Sequence, residues 1–345
     1  MSEFSYKFLK SLPKVELHCH LDGSVRVNTI LELAKKNNVE LPVNNHDDLK
    51  SYLEVGDDCK DLLDYLKAFS VTNSVLQTKE ALARAAFELS EDAAEENIRI
   101  LEIRFSPLLH TEKGLALSEI VEAVIEGKSK AEEKYNIKVG LILCGIRSMS
   151  PKRSMDLARV AISYKNKGVV AYDLAGPEEN FPAKDHKEAF FEIINNNINT
   201  TVHAGEAYGP ESIHQAIHYT RANRIGHGTR LREDPELLNF VNDHRIPLEM
   251  CVNCNVQTNT VASLADHPIK EYLDQGIRVT INTDNRLISK TTLTNEYKTV
   301  CDTFSLSNEE LKKVILNGFK SVFLPYKECK DVYEKAESEL TALGL

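Results

Sequence analysis

The stretch "VELHCHLDGSV", Val15–Val25, decides how the rest of the chain is read. It begins as an apolar strand and then spends two alternate positions on histidine. Residues two apart on a strand share a face, so His18 and His20 aim side by side at one point. Behind them, Asp22-Gly23 reads as a turn. A purely structural strand has no use for two convergent imidazoles and a carboxylate. A strand that ends at a reactive site does.

Working outward, the same architecture recurs. Short β-branched runs are each followed by a longer segment of helical periodicity. The strand candidates are "VEL" (15–17), "IRILEIRF" (98–105), "KVGLILCGI" (138–146), "GVVAYDLAG" (168–176), "NTTVHAG" (199–205), "NRIGHG" (223–228), "IPLEMCV" (246–252) and "IRVTINTD" (277–284). Most are apolar on both faces, as parallel strands covered by helices must be. Amphipathic stretches such as 79–97 and 116–135 lie between them. Eight strands alternating with helices predict an α/β fold of the (β/α)8 TIM-barrel type, with a doubly wound open sheet as the competing topology. The barrel is preferred because nearly every strand acquires His, Asp, Glu or Gly at its C-terminal end, and in a barrel those ends converge on one mouth. Residues 27–97 are too long for one crossover helix and are expected to add helices over part of that mouth. The tail after "NTD" reads as further helix, and residues 1–345 as one domain.

Composition narrows the function classes. A formal net charge of -10 argues against a nucleic-acid surface and against adhesion to anionic membrane. The segment "MSEFSYKFLKSLPK" lacks the apolar run of a signal peptide. No run approaches the ~18 apolar residues of a membrane helix. Seven cysteines, an odd and scattered set, read as reduced thiols. A cytoplasmic protein acting on a small molecule is the expectation.

At the strand ends stand His18 and His20, His203 in "TVHAGE", His227 in "RIGHGT" and Asp284 in "TINTDN". Each histidine alone would be read as a satisfied buried side chain. Together, three imidazoles and a carboxylate suit a zinc-class ion with an open position for water. His18, His20, His203 and Asp284 are assigned as its ligands. Glu206, three residues after His203, is the candidate acid/base, although a neighbouring cation normally lowers a carboxyl pKa. His227, between two glycines, could be a further ligand or a base that orients the activated water; the second is preferred because the ligand positions are filled. "CVNC" (251–254) lacks a second pair for a structural zinc site. It also lacks the H-x-E…P-C-x-x-C signature of the small zinc deaminases, and is read as strand-end thiols. "GVVAYDLAGPE" is no dinucleotide fingerprint, but its Gly176 could expose backbone groups at the mouth.

"PKVELHCHLDGS", "DLAGPE", "TVHAGE", "RIGHGTRL" and "TINTDN", in this order, closely resemble the adenosine deaminase family of metal-dependent (β/α)8 hydrolases. The resemblance spans about residues 11–300. It implies one Zn2+ per chain on His18, His20, His203 and Asp284, and attack of a zinc-activated water on the amino-bearing carbon of adenine. It implies further that Glu206 protonates the neighbouring ring nitrogen, while His227 and Asp284 orient the attacking oxygen. Substrate contacts fall on His20, on Asp22 at the ribose, on the backbone N–H of Gly176, and on Asn285, which stands where animal members carry a second aspartate. Cys254 stands where serine is more usual, and Leu62, Leu66 and Phe69 fall where the family has an apolar lid. "HLDG" and "GHG" are of the nucleoside type, whereas relatives acting on free adenine tend to have Glu in the turn and "DHG" later. The expected activity is deamination of adenosine and 2'-deoxyadenosine. Deamination of adenine, of a methylated AMP or of another modified adenosine is the alternative, and a nucleoside binder without turnover a more distant one.

Overall fold

The computed structural model describes residues 4–56, 59 and 61–345. Met1–Glu3, the start of the segment expected to lack a leader, lie outside the described residues. Eight parallel strands pair in sequence order: β1 (Lys14–His20), β2 (Ile98–Phe105), β3 (Lys138–Ile146), β4 (Val169–Ala175), β5 (Asn199–Ala204), β6 (Arg224–His227), β7 (Leu248–Met250) and β8 (Val279–Ile281). The ring closes at its mouth. An isolated parallel bridge joins Cys19 to Asp284, with His20 N–H donating to the Asp284 carbonyl at 2.7 Å and Asp284 N–H to the His18 carbonyl at 2.9 Å. The expected (β/α)8 barrel is the fold found.

β4, β5 and β6 end within one residue of the sequence reading, whereas β1, β7 and β8 differ by two or more, each for a physical reason. β1 runs on to His20 because its polar side chains find partners inside the barrel: Glu16 Oε1 accepts Thr283 N–H at 3.1 Å and His18 Nδ1 lies 2.9 Å from Glu249 Oε2. β7 stops at Met250 because Cys251 caps a helix, Val252–Gln257. The "CVNC" pair is therefore a helix start rather than a strand end. β8 stops at Ile281 because the Asn282 side chain takes over the edge of the ladder, accepting Leu17 N–H at 3.0 Å. Asp284 follows in the left-handed region, at φ 60°.

Helices Val27–Asn37, His46–Leu53, Leu62–Tyr65 and Phe69–Val75 precede the crossover helix Lys79–Glu95, as the length of that region required. After β8 come Leu293–Phe304, Asn308–Ser321 and Tyr326–Ala342. Helix Asn308–Ser321 opens on a capping box, with Ser307 Oγ accepting Glu310 N–H at 3.2 Å and Ser307 N–H donating to Glu310 Oε2 at 2.8 Å. It packs on β1 and β8, and Gly318 sets the approach: a Cβ there would stand 2.6 Å from Val15 Cγ2. Among the described residues no helix is long and apolar enough to cross a membrane.

The barrel interior is tied by charge as well as by packing. Arg224 donates to Glu249 at 2.6 Å and to Glu102. Arg104 donates to Asp173 at 3.0 Å and to Glu249 at 2.7 Å. All five side chains are buried. Breaking such a network by removing one member strands the remaining charges. Glu249→Ala is expected to cost about 3–5 kcal/mol, read from denaturant unfolding. A loss below about 1 kcal/mol, the value of a surface pair, would show that the network does not hold the strands together.

Candidate active site

β1 and β5 deliver three imidazoles, and the turn after β8 delivers the carboxylate. His20 Nε2 lies 3.1 Å from His203 Nε2. Asp284 Oδ1 lies 3.3 Å from His18 Nε2 and 3.4 Å from His20 Nε2. One ligand atom from each of His18, His20, His203 and Asp284 falls within 4.8 Å of the others. The buried His18 Nε2 has no hydrogen-bond partner. Nitrogen lone pairs held face to face in this way repel one another unless a cation stands between them, so the donor set fits a metal ion. Three imidazoles and one carboxylate are borderline ligands of the kind zinc takes.

Partners behind the rings aim them. His18 Nδ1 is engaged by Glu249 and His203 Nδ1 lies 3.1 Å from Asp173 Oδ2, which leaves both Nε2 atoms turned inward. Arg104 binds both carboxylates, so one guanidinium from β2 holds two ligands through two acids. Burial, the largest influence, pushes the His18 and His20 imidazoles well below their usual range and keeps them unprotonated, as ligands must be. Glu249, Asp173 and Arg104 were missed in the sequence reading. Their signal is a charged residue inside an apolar run: "LEM", "YDL" and "EIRF".

Glu206 sits beyond β5, past Gly205 at φ 72°. Its loop is pinned by Glu178, whose carboxylate accepts backbone N–H groups from Gly205 at 3.2 Å, Glu206 at 3.0 Å and Tyr208 at 3.3 Å. Glu206 Oε2 lies 3.5 Å from His227 Nε2, and Oε1 receives Thr258 Oγ1 at 3.3 Å and the Cys254 thiol at 3.9 Å. Burial, then the charges of Asp284 and Glu178, push this carboxyl well above its ordinary range. The protein's own surroundings favour the protonated acid, and a cation in the ligand cluster would act in the opposite direction. His227 adopts φ 62°. A Cβ on the preceding Gly226 would lie 3.1 Å from His18 Cε1 and 3.2 Å from His203 Cα, so any larger residue would press the His18 ring and the β5 backbone by a few tenths of an ångström.

A cavity of about 300 Å3 opens on these groups. His20, Asp22, Gly176 and Asn285, the four expected substrate contacts, all line it beside His203, Glu206, His227 and Asp284. Leu62, Leu66 and Phe69, together with Tyr65, form its apolar side. Asp22 Oδ1 is buried without a partner, and burial raises that carboxyl to about 7. Asn285 is tied to the apolar side of the cavity. Its Nδ2 donates to the Tyr65 hydroxyl at 2.9 Å, and its Oδ1 is the unpartnered atom. Tyr65, bonded in turn to Ser289 at 2.6 Å, was not picked out from the sequence because helical periodicity makes it look like core.

Comparison with known proteins bears on this geometry. The family model described as adenosine deaminase matches residues 13–338. The chain is 45% identical over 322 residues to a probable adenosine deaminase of Dictyostelium discoideum, a match covering 93% of this chain but 42% of that longer protein. It is 44% identical over 338 residues to an adenosine deaminase of Clostridium botulinum, covering 96% of this chain and 99% of that one. Among solved structures, an adenine deaminase from Arthrobacter aurescens superposes with a TM-score of 0.90 at 24% identity, covering 96% of this chain and all of the other; at that identity the likeness speaks for the barrel alone. The sequence matches extend through every strand and every group at the mouth, and the chain belongs to the adenosine deaminase family.

Proposed function

We propose that the protein hydrolyses adenosine and 2'-deoxyadenosine to inosine and 2'-deoxyinosine with release of ammonia. The observation that carries this reading is a buried carboxyl, Glu206, lining the same cavity as the cluster of three imidazoles and a carboxylate. Zinc is the metal proposed for His18, His20, His203 and Asp284, one per chain; bound there it would act as a Lewis acid that brings the pKa of a water toward neutrality. Glu206 donates its proton to the ring nitrogen beside the amino-bearing carbon, which makes that carbon electrophilic. Asp284 and His227 orient the oxygen that attacks it. The carbon becomes tetrahedral, and one proton of the water passes to the amino nitrogen. The bond between carbon and that nitrogen breaks so that ammonia leaves, and the remaining proton returns to Glu206 as the carbonyl forms. Leu62, Leu66 and Phe69 cover the purine and exclude water, which strengthens the charge interactions inside. The reading carries with it a single catalytic domain over residues 1–345 and a cytoplasmic setting.

Asp22 is proposed to accept the ribose hydroxyls and to repel a 5'-phosphate. Its partnerless, buried Oδ1 supports this. Above pH 7, where the Asp22 carboxyl is ionised, Asp22→Ala is expected to lower kcat/KM for adenosine by about 10–100-fold, the worth of hydrogen bonds to a charged acceptor. Most of the loss should appear in KM in steady-state kinetics, and an unchanged KM would remove Asp22 from the ribose.

The function is tested by offering zinc-loaded protein adenosine, 2'-deoxyadenosine, AMP and adenine separately and following ammonia. Turnover of both nucleosides is expected. No nucleoside turnover would overturn the reading, and turnover of adenine alone would replace it with an adenine deaminase.

A further inference from the structure

Behind His227, on the side away from the cavity, lies a line of buried polar groups that the reaction as derived does not use. His227 Nδ1 is 3.1 Å from Asn255 Nδ2. Asn255 Oδ1 receives Thr229 Oγ1 at 2.8 Å and faces His267 Nε2 at 3.2 Å. His267 Nδ1 accepts the backbone N–H of Ile269 at 3.2 Å. Asn255, His267, Thr229 and His227 are all buried, so no water competes for these bonds.

Each bond fixes the direction of the next. A backbone N–H can only donate, so His267 Nδ1 must be bare and the ring proton of the neutral imidazole must sit on Nε2. Burial, with Arg232 adding to it, pushes His267 down to about 3 and keeps it neutral. Its Nε2–H then donates to Asn255, which requires the amide oxygen on that side and the amide nitrogen toward His227. An amide nitrogen donates and does not accept. His227 Nδ1 must therefore accept, and its proton resides on Nε2, the atom facing Glu206 and the cavity.

From this chain of bonds we propose that His267 and Asn255 are positioning residues that lock His227 as the Nε2–H tautomer, so that it meets the attacking oxygen as a hydrogen-bond donor and not as a base. The inference rests on the deaminase reading above. It also revises the role expected of His227 from sequence, since a base needs a bare Nε2. The Glu206 proton goes to the ring nitrogen, one proton of the attacking water reaches the amino nitrogen that leaves as ammonia, and the other returns to Glu206 as the carbonyl forms.

Neutron diffraction on zinc-loaded, deuterium-exchanged crystals of the full chain reads the tautomers directly. Deuterium is expected on Nε2 of His227 and of His267, with both Nδ1 atoms bare. Deuterium on Nδ1 of His227 would overturn the proposal, whatever the activity. Kinetics give an independent reading. Asn255→Asp replaces the donor with an acceptor, which draws the ring proton to Nδ1; the wrong tautomer in a catalytic histidine costs up to about 10⁴-fold in kcat. Here kcat is expected to fall at least about 100-fold with KM and zinc content retained. Wild-type kcat in Asn255→Asp would sink the relay. If the wild-type deuteron lies on Nε2 but adenosine is not turned over, the relay stands and the substrate reading fails.

Discussion

Glu206→Gln is expected to bind zinc and adenosine as the wild type does and to lose about 10²–10⁴-fold in kcat, the usual worth of a positioned general acid. The substitution is nearly isosteric, and both carboxyl oxygens have neighbours that a glutamine amide can satisfy: Thr258 at 3.3 Å and His227 at 3.5 Å. A glutamine can offer a hydrogen bond to the ring nitrogen but has no proton to give. The loss should therefore appear in kcat with KM little moved, and zinc content should stay at one per chain. The pH profile adds a second check. On the proposed mechanism the productive form of Glu206 is the protonated one, and burial, Asp284 and Glu178 raise its pKa. Activity should fall as pH rises through that pKa, and this descending limb should be missing from the residual activity of Glu206→Gln. Full activity in the variant would remove Glu206 from the chemistry.

Stripping the metal is expected to abolish deamination and to lower thermal stability together. Without a cation, the ligand atoms of three histidines and a carboxylate remain packed within 4.8 Å of one another in a buried site, and their mutual repulsion opposes the fold. A ligand present at 1,000 times its dissociation constant stabilises the folded state by about 4 kcal/mol. Chelated protein should unfold at a clearly lower temperature, and added zinc should restore both the midpoint and the activity. An unchanged midpoint, with activity intact after dialysis against chelator, would mean that the four residues hold no ion.

Much of this was legible in the amino-acid sequence because the barrel concentrates its polar exceptions at one end. His18, His20, His203, Glu206 and Asp284 each follow or close an apolar run, and each lines the cavity or joins the ligand cluster. What sequence could not supply was direction. Glu249 and Asp173 lie inside strands, where a lone acid reads as an irregularity; only the fold shows that each faces an imidazole and a shared guanidinium. The ends of β7 and β8 were overextended because a ladder can be finished by side chains, as Asn282 does, and hydropathy does not distinguish that from strand. Asn255 and His267 lie in a short helix and a turn with no periodic signal, and their meaning depends on bond directions that only coordinates disclose. Tyr65 was hidden for the opposite reason, since an aromatic on an amphipathic segment has a sufficient explanation in packing.

The distance along the chain between partners has a consequence for biosynthesis. His18 waits for Glu249, 231 residues later, and for Asp284 beyond it. At ribosomal rates of about 5–20 residues per second, the first two histidines are made roughly 10–50 seconds before the acid that orients one of them. Until β8 has emerged and the Cys19–Asp284 bridge has formed, the ligand set is incomplete and the ion can be held only loosely. With a metal on the proposed ligands, tight retention would mark completion: it would distinguish a chain whose last strand has met its first from one closed out of register.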